Sequence, residues 1–218
     1  MPLMLAKVPD ILLCRHLSTL YLSDQEKWRA SRLRHDQRIA HYVASRLMAK
    51  LLLRQWLDSG FIAASKLELY GPPAHPPKLY YGQQYLRDIF VSVSHSRGLV
   101  LVGISDHSAI GLDIEHVAGH DWHAIFDYMQ WPMPTPAKRL PAEILCCCIW
   151  TIFEAGFKLY GGRVSEASFR LLSISFGQDQ SWMWRGIFSF HAAFQDQHYA
   201  GKGIAEAGWT ISVARQRL

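Results

Sequence analysis

Cysteine is scarce in this chain and badly placed for cross-linking. Only four of 218 residues are cysteine; Cys14 stands alone, and Cys146, Cys147 and Cys148 are consecutive. Consecutive cysteines cannot usefully pair with one another, and no Cys-x-x-Cys spacing offers a zinc site. They read as small buried hydrophobes in a reducing compartment, so a cytoplasmic location is expected. Charge is sparse too, at 19% against 50% hydrophobic residues, which excludes a disordered chain. Long apolar runs are missing: the longest, Ile144 to Phe153, is about half of the roughly 20 residues a membrane span needs. Met1 to Leu13 is apolar with one lysine, Lys7. It lacks the charged start and small-residue cleavage site of a secretory signal. A buried first strand around Ile11 to Cys14 is expected there instead.

What charge there is lies unevenly. The net charge is +5, and Lys27, Arg29, Arg32, Arg34, Arg38 and Arg46 crowd one stretch. Such a stretch suits a polyanion (nucleic acid, a membrane surface, a phosphorylated cofactor or an acidic protein) or is an ordinary solvated helix face. The length fits one large domain or two small ones.

Ser23 with Glu26 three residues on has the form of a capping box at a helix start. A longer helix is predicted from His35 to Leu57, with Ile39, Val43, Leu47, Leu51 and Leu52 at helical spacing and Arg38, Arg46 and Lys50 off that stripe. Gly71 to Pro77 holds four prolines and must be loop. Ile89 to Ser94 and Leu99 to Ile104 read as strands joined by a turn at His95 to Gly98. A proline-rich loop at Trp131 to Pro136 precedes a second long helix, Ala142 to Tyr160, ended by Gly161-Gly162. Phe169 to Phe176, Trp182 to Phe190 and Trp209 to Val213 are further candidate strands. Each half thus shows a strand, a long helix and two or three strands. That order predicts an α+β protein of two similar halves, 1–107 and 108–218, with a ligand cleft between them.

Ile110 to Glu115, Ile-Gly-Leu-Asp-Ile-Glu, is a strand whose apolar residues alternate with Gly111, Asp113 and Glu115. Two carboxylates at i and i+2 point the same way and repel unless a cation sits between them. A hard divalent ion such as Mg²⁺ answers that need; a solvated edge strand with two surface acids is the plainer alternative. On the second long helix Glu154 and Lys158 stand at i and i+4 and share a face. A surface pair of that kind is worth about a few tenths of a kcal/mol, but these neighbours are apolar and aromatic. A third carboxylate beside Asp113 and Glu115 would complete a metal site, and Lys158 would meet a phosphate.

Three segments taken in order, Val-Ser-Val-Ser-His-Ser (91–96), Ile-Gly-Leu-Asp-Ile-Glu (110–115) and Trp-Thr-x-x-Glu-Ala-x-x-Lys (150–158), resemble the Sfp-type 4′-phosphopantetheinyl transferases. The resemblance runs from about Leu22 to Lys158 and implies that family's pseudo-twofold fold. It also implies the family's reaction, which moves the phosphopantetheine arm of coenzyme A onto a serine of an acyl or peptidyl carrier protein. By position it implies that Asp113, Glu115 and Glu154 hold Mg²⁺, that Glu154 is the base on the carrier serine, and that Lys158 meets the pyrophosphate. It implies further that Ser94 and His95 hold the 3′-phosphate of coenzyme A, with Arg29 and Arg46 near the nucleotide. The implied partners are coenzyme A and an acidic carrier protein, with no nucleic acid and no membrane. Two fused halves would work as a monomer.

Two positions depart from the family pattern. Phe153 stands where the family carries a lysine before the helix glutamate, and His75-Pro76-Pro77 stands where it has Gly-Lys-Pro. Lys78 and His75 are the nearest substitutes for the second cation. Losing both cations would remove one or two charge-assisted hydrogen bonds of about 1.5–3 kcal/mol each. A relative that binds coenzyme A or a carrier protein without transfer is the alternative. A nucleic-acid module using Lys27 to Arg46 leaves Asp113, Glu115 and Glu154 unexplained, because three acids repel phosphates without a metal.

Overall fold

Asp10 starts a helix where a strand is expected. Its side chain accepts a hydrogen bond from the Leu13 amide at 2.9 Å, closing the first turn of α1, Ile11–Tyr21. An apolar run such as Ile11 to Cys14 does not by itself distinguish helix from strand; the cap decides. The first strand lies earlier, at Leu3–Lys7. The computed structural model describes residues 1–56, 63–71, 75–135, 140–161, 168–177, 185–206 and 208–216. Leu57, the prolines at 72 and 73, Pro136, Gly162 and the predicted strand start at 182–184 lie outside them.

The protein is α+β and divides into two units, Met1–Ile110 and Gly111–Leu218. In the first unit β1 (Leu3–Lys7), α1, α2 (Asp24–Ser31) and α3 (Asp36–Trp56) are followed by β2 (Leu67–Tyr70), β3 (Lys78–Tyr81) and β4 (Gln84–Tyr85). Then come β5 (Phe90–Ser96) and β6 (Leu99–Ser105). Two antiparallel sheets result, in the orders β1-β6-β5 and β2-β3-β4. The β5–β6 turn is shorter than expected. Arg97 and Gly98 alone take positive φ, 41° and 78°, while His95 and Ser96 stay in the strand. Leu52, Leu53 and Met48 of α3 form a core with Val91, Val100, Val102 and Ile104 of the first sheet and Leu67, Leu69 and Leu79 of the second.

The capping box at Ser23 forms as predicted, and Glu26 does more than cap. Its Oε2 accepts from the Ser23 amide at 3.0 Å and from Lys50 Nζ at 2.5 Å, while Oε1 accepts from the Leu69 amide at 3.1 Å. Lys50 also donates to the Tyr21 carbonyl at 2.9 Å. Helical spacing sets Lys50 off the apolar stripe, yet it is 1% exposed. Burial pulls its pKa down against the opposing pull of Glu26, and the pair ties α2, α3 and β2 together.

The second unit comprises β7 (Ile110–His116), α4 (Trp122–Tyr128), α5 (Ala142–Tyr160), β8 (Phe169–Phe176), β9 (Arg185–Phe194), β10 (Gln197–Glu206) and β11 (Trp209–Gln216). α4 falls in a segment that reads as irregular. The sheet order is β7-β11-β10-β9-β8, so the carboxylate strand pairs with the last strand and lies at an edge. β10 escapes a pattern search because Gly201 and Gly203 interrupt its alternation. Both glycines are required: a Cβ at either would strike the ring of Phe190 or Phe188 on β9. Cys146, Cys147 and Cys148 of α5 are buried. Burial pushes all three thiols upward, which makes them packing groups and poor nucleophiles. Among the described residues no helix is long and apolar enough to cross a membrane.

Two glycines set how α5 lies on the sheet. A Cβ at Gly111 would overlap the Ala155 carbonyl, and one at Gly156 would overlap the Tyr199 hydroxyl. That hydroxyl reaches into the helix and donates to the Ile152 carbonyl at 3.0 Å. Helix propensity alone makes Gly156→Ala stabilising by about 0.5–1 kcal/mol. The expected result is the reverse, a loss of about 1–3 kcal/mol from overpacking, read by urea denaturation.

Candidate functional site

Gly111 faces α5, and strand alternation sends Asp113 and Glu115 the same way. Asp113 is 3% exposed, so the reading of surface acids on a solvated edge strand is overturned even though β7 is an edge strand. Lys158 Nζ, one turn after Glu154 on α5, donates to Asp113 Oδ1 at 2.6 Å and lies 4.0 Å from Glu154 Oε2. The i, i+4 pair is therefore part of a tertiary charge cluster joining helix to strand.

Burial pushes Glu154 up to about 7, and the negative fields of Asp113 and Glu115 add to that, while Lys158 opposes it. Asp113 and Glu154 thus flank the Lys158 ammonium, and the field of Glu115 reaches Glu154. The donor set suits a hard divalent cation: oxygen ligands, with the buried thiols of α5 too protonated to compete. Among the described residues no three His, Cys, Asp or Glu side chains already form a metal cluster; Lys158 is the neutralising charge beside Asp113. Asp113, Glu115 and Glu154 are the residues that would hold an ion.

Sequence reasoning misses His120. Just past β7 the Val117 amide donates to the Gly208 carbonyl at 2.7 Å, tying the strand end to the connection between β10 and β11. Trp122 anchors the start of α4 by donating from Nε1 to the Val117 carbonyl at 3.0 Å. His120 packs on the Trp122 ring at 4.9 Å and places Nε2 2.8 Å from Glu115 Oε1. A histidine five residues past a carboxylate gives no signal in sequence; the tertiary fold creates the contact.

The first unit brings other predicted residues together. The Arg46 guanidinium lies 4.1 Å from the Tyr42 ring centre and donates to Ser45 Oγ at 3.0 Å. Arg29 donates to the Gly71 carbonyl at 2.8 Å and lies over Tyr70. Its positive field reaches Arg46, whose pKa burial lowers. His95 stacks on His41 of α3, with ring centres 4.8 Å apart. Among the described residues, the buried Arg46 Nε, His41 Nε2 and Tyr42 hydroxyl have no hydrogen-bond partner. Leaving such groups unsatisfied costs about 1–3 kcal/mol each. Ser94 does not join them: alternation along β5 buries it on the opposite face from His95. His41 and Tyr42 carry no motif and were not anticipated.

Position 153 is not a vacant cation site. Phe153 is fully buried, with its ring against those of Trp131, Trp150, Phe169 and Phe194. Near Pro76, Lys78 is exposed and stands over the Tyr85 ring at 5.6 Å.

Two outcomes follow for stability. A carboxylate raised in the folded state contributes stability below its ordinary pKa of 4.5 and loses it as pH rises through about 7. In EDTA, Glu154→Gln should match the wild type near about pH 4 and exceed it at about pH 8 by on the order of 1–3 kcal/mol in urea unfolding. Phe153→Lys buries an ammonium among rings and should cost about 3 kcal/mol or more, read in the same way.

No family model matches this chain, and no curated protein matches it.

Proposed function

We propose that this protein is a Mg²⁺-dependent 4′-phosphopantetheinyl transferase that takes coenzyme A as donor and a serine of an acidic carrier protein as acceptor. The observation that carries this reading is the meeting of Asp113, Glu154 and Lys158 between β7 and α5, with Glu115 beside them. These are the residues the family resemblance marks, brought together by the tertiary fold. The buried Arg46, His41 and Tyr42 of the first unit support it as polar groups suited to the phosphates of a nucleotide.

In the transfer, the serine oxygen bonds to the phosphorus that carries the pantetheine arm. The bond from that phosphorus to the bridging oxygen breaks, and adenosine 3′,5′-bisphosphate leaves with the electron pair. Glu154 accepts the serine proton. Lys158 would pair its ammonium with the oxygen that leaves. A bound Mg²⁺ would supply the remaining neutralisation of the phosphates. The buried aromatic wall behind Glu154 keeps its helix face fixed. With a cytoplasmic location and a monomer as the working form, the net charge of +5 suits an acidic carrier.

The test is incubation with coenzyme A, Mg²⁺ and a panel of apo carrier proteins, read by mass spectrometry. A gain of one phosphopantetheine arm is expected on at least one carrier, lost in EDTA and reduced at least about 10²-fold in Glu154→Gln. No gain on any carrier, beside a working control enzyme, would overturn transfer. Near wild-type turnover in Glu154→Gln would overturn the role of Glu154 as base.

A further inference from the structure

Tyr199 meets α5 at the turn that carries Glu154 and Lys158, on the far side of the helix from both. It sits on the face of β10 that α5 covers, at 1% exposure, with its ring against Phe190 and Tyr160. Burial pushes its hydroxyl pKa upward, so the group stays a donor. It donates to the Ile152 carbonyl at 3.0 Å. In a helix that carbonyl also takes the amide four residues on, here Gly156, and its second lone pair receives the phenol. Only a glycine at 156 leaves room for the ring end, which is seated in the helix surface. Glu154 and Lys158 project within about 40° of one another, and Gly156 lies about 160° around the axis from each. α5 is therefore held on two flanks, by Lys158 to Asp113 at 2.6 Å on one and by Tyr199 on the other. Hydroxyl and thiol contacts from Cys147 to Thr210 and from Thr151 to Ser212 join it to β11.

We propose that Tyr199 is a positioning residue whose hydroxyl fixes the roll of α5 about its axis, and thereby the approach of Lys158 and Glu154 to Asp113. The catalytic consequence rests on the transfer reading. Side-chain atoms lie about 5–6 Å from a helix axis, so a roll of about 10° carries them about 1 Å. A displacement of that size can cost about 10²-fold in rate. Contacts on one flank leave a helix free to roll about them, and a stop on the other flank removes that freedom. Tyr199 acts through the helix backbone and not on the reacting atoms.

The experiment is hydrogen exchange of the lysine ammonium groups, read by heteronuclear NMR on the full-length wild type, Tyr199→Phe, Gly156→Ala and Tyr160→Phe, with transfer kinetics beside it. The signal lost in Lys158→Gln assigns Lys158, and Lys50, paired with Glu26 in the first unit, is the internal reference. Tyr160→Phe is the control, since it removes a hydroxyl bond from the last residue of α5 to the His198 carbonyl. Tyr199→Phe and Gly156→Ala disturb one contact from its two sides. Each should speed Lys158 exchange and lower kcat by about tenfold or more, with KM for coenzyme A unchanged. Lys50 exchange, and every value in Tyr160→Phe, should stay at the wild-type level. Unchanged Lys158 exchange in Tyr199→Phe and Gly156→Ala would overturn this inference and leave the transfer reading standing. An equal rise at Lys50 would also overturn it, since general loosening would then be the cause. Faster Lys158 exchange with wild-type kcat would overturn the role in catalysis. Absence of transfer by the wild type would overturn the transfer reading, while exchange at Lys158 would still decide whether Tyr199 sets the roll of the helix.

Discussion

Each unit holds a lysine from its longest helix against a carboxylate brought from elsewhere in the chain: Lys50 against Glu26, and Lys158 against Asp113. Charges withdrawn from water are unstable unless paired and hydrogen-bonded, and breaking such a pair costs far more than forming it gains. These two contacts therefore constrain which faces of α3 and α5 turn inward, and the remaining packing must agree with them.

The two pairs differ in what surrounds them. Glu26 and Lys50 are saturated by backbone amides, a carbonyl and each other, so nothing remains to bind anything else. The pair at Asp113 has other company: Glu154 lies 4.0 Å from Lys158, and burial, with the negative fields of Asp113 and Glu115 adding to it, pushes Glu154 up to about 7. The first pair locks helices together. The second sets carboxylates of strand and helix around a lysine, which makes it the candidate site.

Close approach between helix and sheet makes that site possible. Gly111 lets the backbone of β7 come against α5, and Gly156 admits Tyr199 into the turn between Glu154 and Lys158. The apparent weakness of a glycine in that helix turn is a packing requirement. Phe153 belongs to the same layer. Its burial among five aromatic rings explains why a residue next to Glu154 in sequence takes no part in its chemistry: adjacent helical residues project about 100° apart.

The sequence by itself determined the α+β class, the bounds of α5 and β8, the capping box at Ser23 and the i, i+2 and i, i+4 placement of Asp113, Glu115, Glu154 and Lys158. These are local properties, set by periodicity and end signals within a few residues. It did not determine that Ile11 to Tyr21 is a helix, because an apolar run suits either element until a cap is counted. Nor did it reveal β10, whose glycines answer to phenylalanines on a neighbouring strand. The inward turn of Lys50, the separation of Ser94 from His95, the stacking of His41 on His95 and the reach of His120 to Glu115 were decided by tertiary structure alone. Each depends on residues distant in the chain or on the face an element turns inward, and no local spacing encodes either.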